Sequence, residues 1–425
     1  MKVGIGIVGV GNVGGVLVAR LLEDRAVIAA RSGIELELVR LGVRDPEKVR
    51  PFQLPPALVT SDAMEVVNDD RVQLVVELIG GTGLAHEVVS AALSAGKPVV
   101  TANKALIAAH GFDLMQLADR SGVPFLYEAA VGGGIPIIRP LSQSLAGETI
   151  TRVIGIVNGT TNFILTKMDE EGASYEAVLA EAQVLGYAET DPTADVGGAD
   201  AAAKAAILAS LAFGIWVDGA AVYHEGIDQL QTQDLALVKE LGYIVKLLAI
   251  AESDHGGVAV RVHPTLVPLA HPLASIRGAT NAIFLEGPST GELLFSGPGA
   301  GGAPTSTAVL GDVIEASRAL LAGVHASPPV KFQSGKVLDF SQHHTSRYYR
   351  FLVDDAPGVL ASVAGVFADV GVSIASVWQE GSGEEATLLI TTHSAAEEMH
   401  QQATEALGSL GSVKEISATL RVLRD

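Results

Sequence analysis

Apolar and polar positions alternate along this chain in three regimes. Up to about residue 130, short apolar runs of strand length are separated by stretches of helical period. The strands expected are Val3–Val8, Ile34–Val43, Leu74–Leu78, Pro98–Thr101 and Phe125–Tyr127, and the helices are Gly15–Leu22, Ala85–Ala95 and Phe112–Ser121. This alternation builds an α/β layer structure, a parallel sheet with helices on both faces. From 131 to 325 the pattern is mixed. Strands are expected at Ile154–Val157, Val258–Leu266 and Ala282–Glu286. Helices are expected up to Met168, over Tyr175–Leu185, Ala201–Val217 and Leu235–Ala251, and over 305–325, the last packing back on the first domain. Thr160 or Thr161 is the expected cap of the helix that runs to Met168. Residues 326–346, rich in Pro, Ser, His and Gln, read as a solvated linker that includes His343 and His344. Residues 347–425 run strand, helix, strand, strand, helix, strand, the order of a ferredoxin-like unit with no catalytic constellation of its own.

The first strand leads straight into Gly9-Val10-Gly11-Asn12-Val13-Gly14. This is the Rossmann dinucleotide fingerprint in its required strand–turn–helix setting. Gly9 allows the tight turn, Gly11 lets a pyrophosphate approach the backbone, and Gly14 lets helix and strand pack closely. The helix start offers N–H groups and a positive dipole to phosphate. Past the second strand stand Arg44 and Asp45. Arg44 points to NADP and Asp45 to NAD, and an ordinary surface ion pair explains them equally well. Two more loops lie past strand ends: Ile79-Gly80-Gly81-Thr82, and Thr101-Ala102-Asn103-Lys104. Ligands bind at such ends in parallel sheets, so Gly80, Thr101 and Lys104 are candidate cofactor contacts.

A second anomaly lies at Gly186–Lys204. An acidic, turn-rich run holding Glu189, Asp191, Asp195 and Asp200 feeds a helix in which Lys204 is the lone ionisable residue up to Val217. An all-round apolar helix is buried, and Lys is seldom fully buried without a partner. Asp200 and Lys204 share a helix face. A surface ion pair is the commoner origin of that spacing, but the apolar run after Lys204 argues against it. Burial and the helix dipole disfavour the charged Lys204, while the nearby carboxylates oppose them. A tuned ammonium of this kind is a workable general acid for a developing alkoxide. In an extended segment, the carbonyls of Val131, Gly133 and Ile135 would point the same way and, with the Glu128 carboxylate, form an oxygen pocket for a hard cation. A glycine-rich hinge explains the same residues.

Composition narrows the function class. The 425 residues include no Cys, so disulfides, thiolate zinc sites and cysteine nucleophiles are excluded. A formal net charge of -20 argues against nucleic-acid or anionic-membrane partners. No signal peptide or spanning segment is expected, which points to a cytoplasmic protein.

These motifs together resemble homoserine dehydrogenase. The resemblance rests on Thr101–Lys104, on Asn158-Gly159-Thr160-Thr161-Asn162, on Gly186-Tyr187-Ala188-Glu189-Thr190-Asp191-Pro192, on Asp195 through Lys204, and on Gly299–Thr305. The tail resembles an ACT domain, with Pro357-Gly358 in its ligand-binding turn. The resemblance implies reversible reduction of L-aspartate 4-semialdehyde to L-homoserine with NADP or NAD, in the threonine, methionine and isoleucine branch of amino-acid biosynthesis. It implies Lys204 as proton donor and Glu189 and Asp200 as holders of the amino-acid substrate, with Asp195, Tyr187 and Lys104 nearby. Gly186 and Gly301 would lie near the cofactor. It also implies a sodium ion on Glu128, Val131, Gly133 and Ile135, a homodimer or homotetramer, and feedback by L-threonine through the ACT domain. The rival reading is a non-catalytic sensor of nucleotide or amino acid on the same scaffold. Retention of Lys204, Asp200 and Glu189 together speaks against it.

Overall fold

The computed structural model describes residues 2–48, 50, 53–254, 256–323, 332–381 and 383–424. The chain divides into two compact units. One joins Met1–Val153, Ala203–Val222 and Thr280–Ser334; the other joins Ile154–Ala202, Tyr223–Ala279 and Gly335–Asp425.

The first unit holds six strands: β1 (Lys2–Val8), β2 (Glu35–Gly42), β3 (Val59–Thr60), β4 (Leu74–Glu77), β5 (Val99–Thr101) and β6 (Phe125–Leu126). Their order is β3-β2-β1-β4-β5-β6, and every pairing is parallel. Val3, Ile5, Ile7, Leu74, Val75 and Val76 are fully buried, as strands covered on both faces require. Strand order reverses between β1 and β4, so the crevice beyond their carboxyl ends is the place for a ligand. The helix Gly302–Ala322 adds Val309, Leu310, Val313 and Ala316 to the same core as Val3, Ile5, Ile7 and Leu17. The helix expected from Phe112 begins at Lys104 instead, because the Asn103 side chain caps it by accepting the Leu106 N–H.

In the second unit the long helix expected after residue 234 fails. Leu235–Ala251 is not a single helix. A helix Thr232–Glu240 ends ahead of Gly242, whose φ is +87°, and a strand Tyr243–Asp254 follows. That strand pairs antiparallel with Gly257–Pro268 along its whole length. Its β-branched residues Ile244, Val245 and Ile250 suit the pleated sheet, and cross-strand pairing overrides a pattern that also fits a helix. The tail strands His344–Asp354, Ile374–Glu380, Glu385–Thr392 and Val413–Val422 form one antiparallel sheet. Helices Val359–Asp369 and Glu397–Gly408 cover it through Phe367, Val363 and Leu407 against Tyr349, Phe351 and Leu388. The expected βαββαβ unit is present. Its last strand also pairs in parallel with Gly257–Pro268, at Thr265–Arg421 and Leu266–Val422.

The expected linker lies outside the described residues from 326 to 331. Beyond that residues 333–336, Asp339 and Gln342 are exposed, as expected, but the segment is tied to a strand and not free. Val258 donates its N–H to the Lys336 carbonyl at 2.8 Å, and Leu338 donates to the Val258 carbonyl at 3.0 Å. His343 is buried, with its Nε2 3.2 Å from the Leu338 carbonyl. Backbone groups there find sheet partners, which a polar composition alone does not reveal.

Candidate active site

The nucleotide end is built from steric necessity. Gly9 has φ +101°, and a Cβ there would meet the Leu78 backbone at 2.5 Å. A Cβ on Gly14 would stand 2.1 Å from the Gly9 carbonyl oxygen, whereas nothing lies within 4 Å of one on Gly11. Helix Asn12–Glu23 starts with Gly11 as its cap and no side-chain cap, and Asn12 is exposed and Val13 half-buried. Its first N–H groups therefore face an open space suited to an anion. The second glycine run reaches the same point. A Cβ on Gly302 would lie 2.8 Å from Asn12 Oδ1, and Gly301, at φ +113°, starts the helix Gly302–Ala322.

Glu77, at the end of β4, organises the neighbouring loops and is fully buried. One carboxylate oxygen accepts the N–H groups of Ile79 at 2.8 Å and Gly80 at 3.2 Å. The other accepts the Thr101 hydroxyl at 2.6 Å. Thr101 Oγ1 in turn accepts the Asn103 N–H at 2.9 Å, and the Asn103 amide donates to the Gly81 carbonyl at 2.7 Å. The loops bearing Gly80, Thr101 and Lys104 are thus one hydrogen-bonded assembly, with Lys104 half-buried in the first turn of its helix. Arg44 and Asp45 are exposed past β2. Arg50 joins them, donating to the Asp45 carbonyl at 2.9 Å and to the Val10 carbonyl at 3.4 Å.

The acidic stretch divides into exposed and buried parts. Gly186, Tyr187 and Glu189 are exposed. Gly186 turns the chain at φ +77°, and the Tyr187 ring lies 4.9 Å from that of Phe163. The Glu189 carbonyl accepts from the Gln183 amide at 3.1 Å. Asp191 shapes the loop, accepting the Thr193 N–H at 3.1 Å and its hydroxyl at 2.6 Å. Asp200 is buried and Asp195 half-buried. Asp195 Oδ1 and Asp200 Oδ2 lie 2.8 Å and 2.9 Å from the same nitrogen, Nδ2 of Asn158. Lys204 lies one turn on from Asp200 in the helix Ala199–Phe213 and is 9% exposed.

Asn158, rather than Thr160 or Thr161, caps the helix Gly159–Glu171 by accepting the Thr161 N–H at 2.9 Å. Thr160 instead donates to the Tyr187 carbonyl at 2.6 Å. Four residues after Asn158, Asn162 Oδ1 accepts from the buried Lys246 ammonium at 2.9 Å. Burial, with the Arg277 charge adding to it, pushes Lys246 down to about 7.

The expected oxygen pocket takes another form. Val131 is extended, but the run breaks after it: Gly132 and Gly133 have φ +72° and +56°, and the Ile135 N–H closes a turn on the Gly132 carbonyl at 2.8 Å. The Glu128 carboxylate faces other donors, the N–H groups of Ile137 at 2.6 Å, Ile138 at 2.8 Å and Arg139 at 2.9 Å. Its own N–H donates to Asp312, which burial and the Glu128 charge push up to about 8. The turn still offers main-chain oxygens. Val131, Gly133 and Ile135 are buried, and among the described residues nothing donates to their carbonyls. Buried carbonyls are rarely left so, and a hard cation suits them.

Residues that sequence reasoning missed are Glu77, Asn103, Asn158 and Lys246 as structural anchors. The sequence signal for two of them was a lone charge inside a strand-length apolar run, at Glu77 and at Lys246.

Comparison with known proteins places the chain in a family. A family model for homoserine dehydrogenase matches residues 136–314, one for the homoserine dehydrogenase NAD binding domain matches residues 9–128, and one for the ACT domain matches residues 350–412. The homoserine dehydrogenase of Corynebacterium glutamicum is 45% identical over 428 residues, spanning 100% of this chain and 96% of its own. A crystal structure of a homoserine dehydrogenase from Thiobacillus denitrificans superposes with a TM-score of 0.94 at 38% identity, covering 100% of this chain and 98% of that one. A hyperthermophilic archaeal homoserine dehydrogenase mutant in complex with NADPH superposes with a TM-score of 0.62 at 29% identity, covering 75% of this chain and 98% of that one. The chain belongs to the homoserine dehydrogenase family of oxidoreductases, with a nicotinamide-nucleotide-binding domain, a catalytic domain and a C-terminal ACT domain.

Proposed function

We propose that this enzyme interconverts L-aspartate 4-semialdehyde and L-homoserine, with Lys204 as proton donor and Asp200 and Glu189 as the clamp on the substrate ammonium. The observation that carries the assignment is a buried Lys204 one turn after a buried Asp200 on an otherwise apolar helix. Asp195, Tyr187 and Lys104 complete the substrate's surroundings. When bound, the reduced nicotinamide supplies the hydride that adds to the aldehyde carbon. As the carbonyl oxygen gains negative charge, Lys204 Nζ gives it a proton; in the reverse direction the same nitrogen takes the hydroxyl proton. A group fixed on a helix loses little orientation freedom in doing so.

Gly9, Gly11, Asn12, Val13 and Gly14 receive the pyrophosphate. Gly80, Thr101, Lys104, Gly186 and Gly301 line the rest of the cofactor site. Arg44, with Arg50 beside it, favours the extra phosphate of NADP. A sodium ion fits the turn 131–135 through the carbonyls of Val131, Gly133 and Ile135 and takes no part in proton transfer. Glu128 serves that turn by fixing the amides of 137–139 instead of offering its carboxylate. The ACT domain takes L-threonine as feedback effector, and the enzyme works as a cytoplasmic homodimer or homotetramer. Among the described residues no helix is long and apolar enough to cross a membrane.

The test follows NADPH absorbance with L-aspartate 4-semialdehyde. Wild type turns over, and Lys204→Ala lowers kcat by about 10² to 10⁴. An inactive wild type returns the chain to a sensor role. An unimpaired Lys204→Ala removes the acid from Lys204. Parallel runs with NADH decide the cofactor.

A further inference from the structure

The side chain of Asn158 works in two directions. Its Oδ1 accepts the Thr161 N–H at 2.9 Å and the Thr161 hydroxyl at 3.1 Å. A backbone N–H can only face the oxygen end of the amide, so the orientation is fixed. The nitrogen end then has two hydrogens to give. It meets Asp195 Oδ1 at 2.8 Å and Asp200 Oδ2 at 2.9 Å. One donor group therefore bridges two carboxylates that would otherwise repel each other at short range.

The donor is itself immobilised. Asn158 is 5% exposed. Its helix is held at Asn162, which accepts from Lys246 at 2.9 Å and donates to the Gly278 carbonyl at 2.9 Å. On the other side Thr160 ties the helix start to the Tyr187 carbonyl at 2.6 Å.

We propose that Asn158 is a positioning residue for the amino-acid end of the substrate: by giving one N–H to each of Asp195 and Asp200, it sets the spacing and orientation in which these carboxylates receive the substrate ammonium. This rests on the substrate role given above to Asp200 and Asp195. Asn158 touches neither the reacting carbon nor the proton in transit. Its effect is on binding geometry, and so on KM for the amino acid more than on KM for the nucleotide.

A helix cap alone would be satisfied by Ser or Asp, which are good N-cap residues. The two roles therefore separate by substitution in the full-length enzyme. Asn158→Ser keeps a cap and loses the double donor. Asn158→Asp keeps the cap and adds a third carboxylate. L-homoserine oxidation is followed by NADPH formation. Asn158→Ser is expected to raise KM for L-homoserine about tenfold or more, with KM for NADP within about twofold and Tm near wild type. Asn158→Asp is expected to raise it further. Wild-type values of both Michaelis constants in either variant overturn the positioning role and leave Asn158 a cap. Equal rises in both Michaelis constants, with a fall in Tm, also overturn it. Asp200→Asn is run beside them. If it leaves KM for L-homoserine unchanged, the substrate reading of the carboxylates fails. If it raises KM while Asn158→Ser does not, only the inference about Asn158 fails.

Discussion

A Cβ on Gly14 would stand 2.1 Å from the carbonyl oxygen of Gly9. The two glycines close the turn between β1 and the helix Asn12–Glu23, and neither backbone has room to yield. Gly11, between them, faces open space. The three glycines of one motif thus do different work, and single alanines separate it. Gly14→Ala must push helix and strand apart, and overpacking of this kind costs typically about 1–3 kcal/mol. The expected outcome is a Tm lower by several degrees together with weaker NADPH binding. Gly11→Ala should leave Tm unchanged and weaken NADPH about tenfold, since its methyl would enter the space proposed above for the pyrophosphate. Thermal unfolding and a fluorescence titration of NADPH check both. A Gly14→Ala protein that matches wild type in Tm would contradict the contact.

The sequence makes the nucleotide end readable because its constraint is local: strand, three glycines and helix follow within a few residues. The Gly186–Lys204 stretch is readable for a related reason, since charge on an apolar helix is conspicuous wherever the helix lies. What escapes reading is the set of polar groups that find partners from distant parts of the chain. Glu77 meets Thr101 across two strands, and Asn158 meets Asp195 and Asp200 after intervening helices and turns. Nothing in the residues near Asn158 tells which carboxylates will reach it. The strand Tyr243–Asp254 escapes for the same reason, because its partner Gly257–Pro268 decides between two patterns that the local sequence permits. The turn 131–135 is a different case. The residues Val131, Gly133 and Ile135 are readable, but two left-handed glycines replace the extended geometry from which their carbonyls were first related.

Three buried histidines make the second unit sensitive to acid. Burial lowers His343 and His400 to about 4 and pushes His263 well below its ordinary value. His400 is held neutral between the Thr345 carbonyl at 2.9 Å and the Tyr349 hydroxyl at 3.2 Å. The unfolded chain binds protons on these rings near pH 6.5, whereas in the folded chain His343 and His400 do so only near 4. Their contribution to stability is therefore complete above pH 6.5 and is lost as pH falls toward 4. A shift of that size is worth roughly 3 kcal/mol for each of His343 and His400. Between about pH 6.5 and 5 ordinary carboxylates stay ionised in both states, and Asp312, raised to about 8 when folded, opposes the histidines with one proton against their three. Tm of the full chain should fall across that interval, and His400→Gln should flatten the fall. An identical slope in the variant would rule out His400 as a source.

Arg421 binds two carboxylates that lie far apart in sequence. Its Nε donates to Glu397 at 2.9 Å and its Nη1 to Glu225 at 2.7 Å, and its guanidinium lies 5.4 Å and 5.0 Å from the rings of Tyr223 and Phe340. Glu397 is 3% exposed and holds Arg347 as well. Burial opposes its charge, yet the two arginines outweigh burial and keep it ionised far below the usual range. Removing Arg421 leaves that charge partly unmatched, and breaking a buried pair costs about 3–5 kcal/mol. Since Arg347 remains, Arg421→Met should fall at the lower end. Arg421→Met with Glu397→Gln should recover much of the loss, which urea unfolding measures. Glu225→Gln is the milder cut. Its carboxylate is partly exposed, so stability should change by no more than about 1 kcal/mol. Two residues on, the Ile227 N–H holds the Val196 carbonyl at 2.9 Å, between Asp195 and Asp200. Arg421 therefore joins the ACT sheet to the segment that carries Asp195 and Asp200. With threonine as effector, Glu225→Gln should blunt inhibition while sparing uninhibited turnover. A threonine titration identical to wild type would show that the signal does not cross this ion pair.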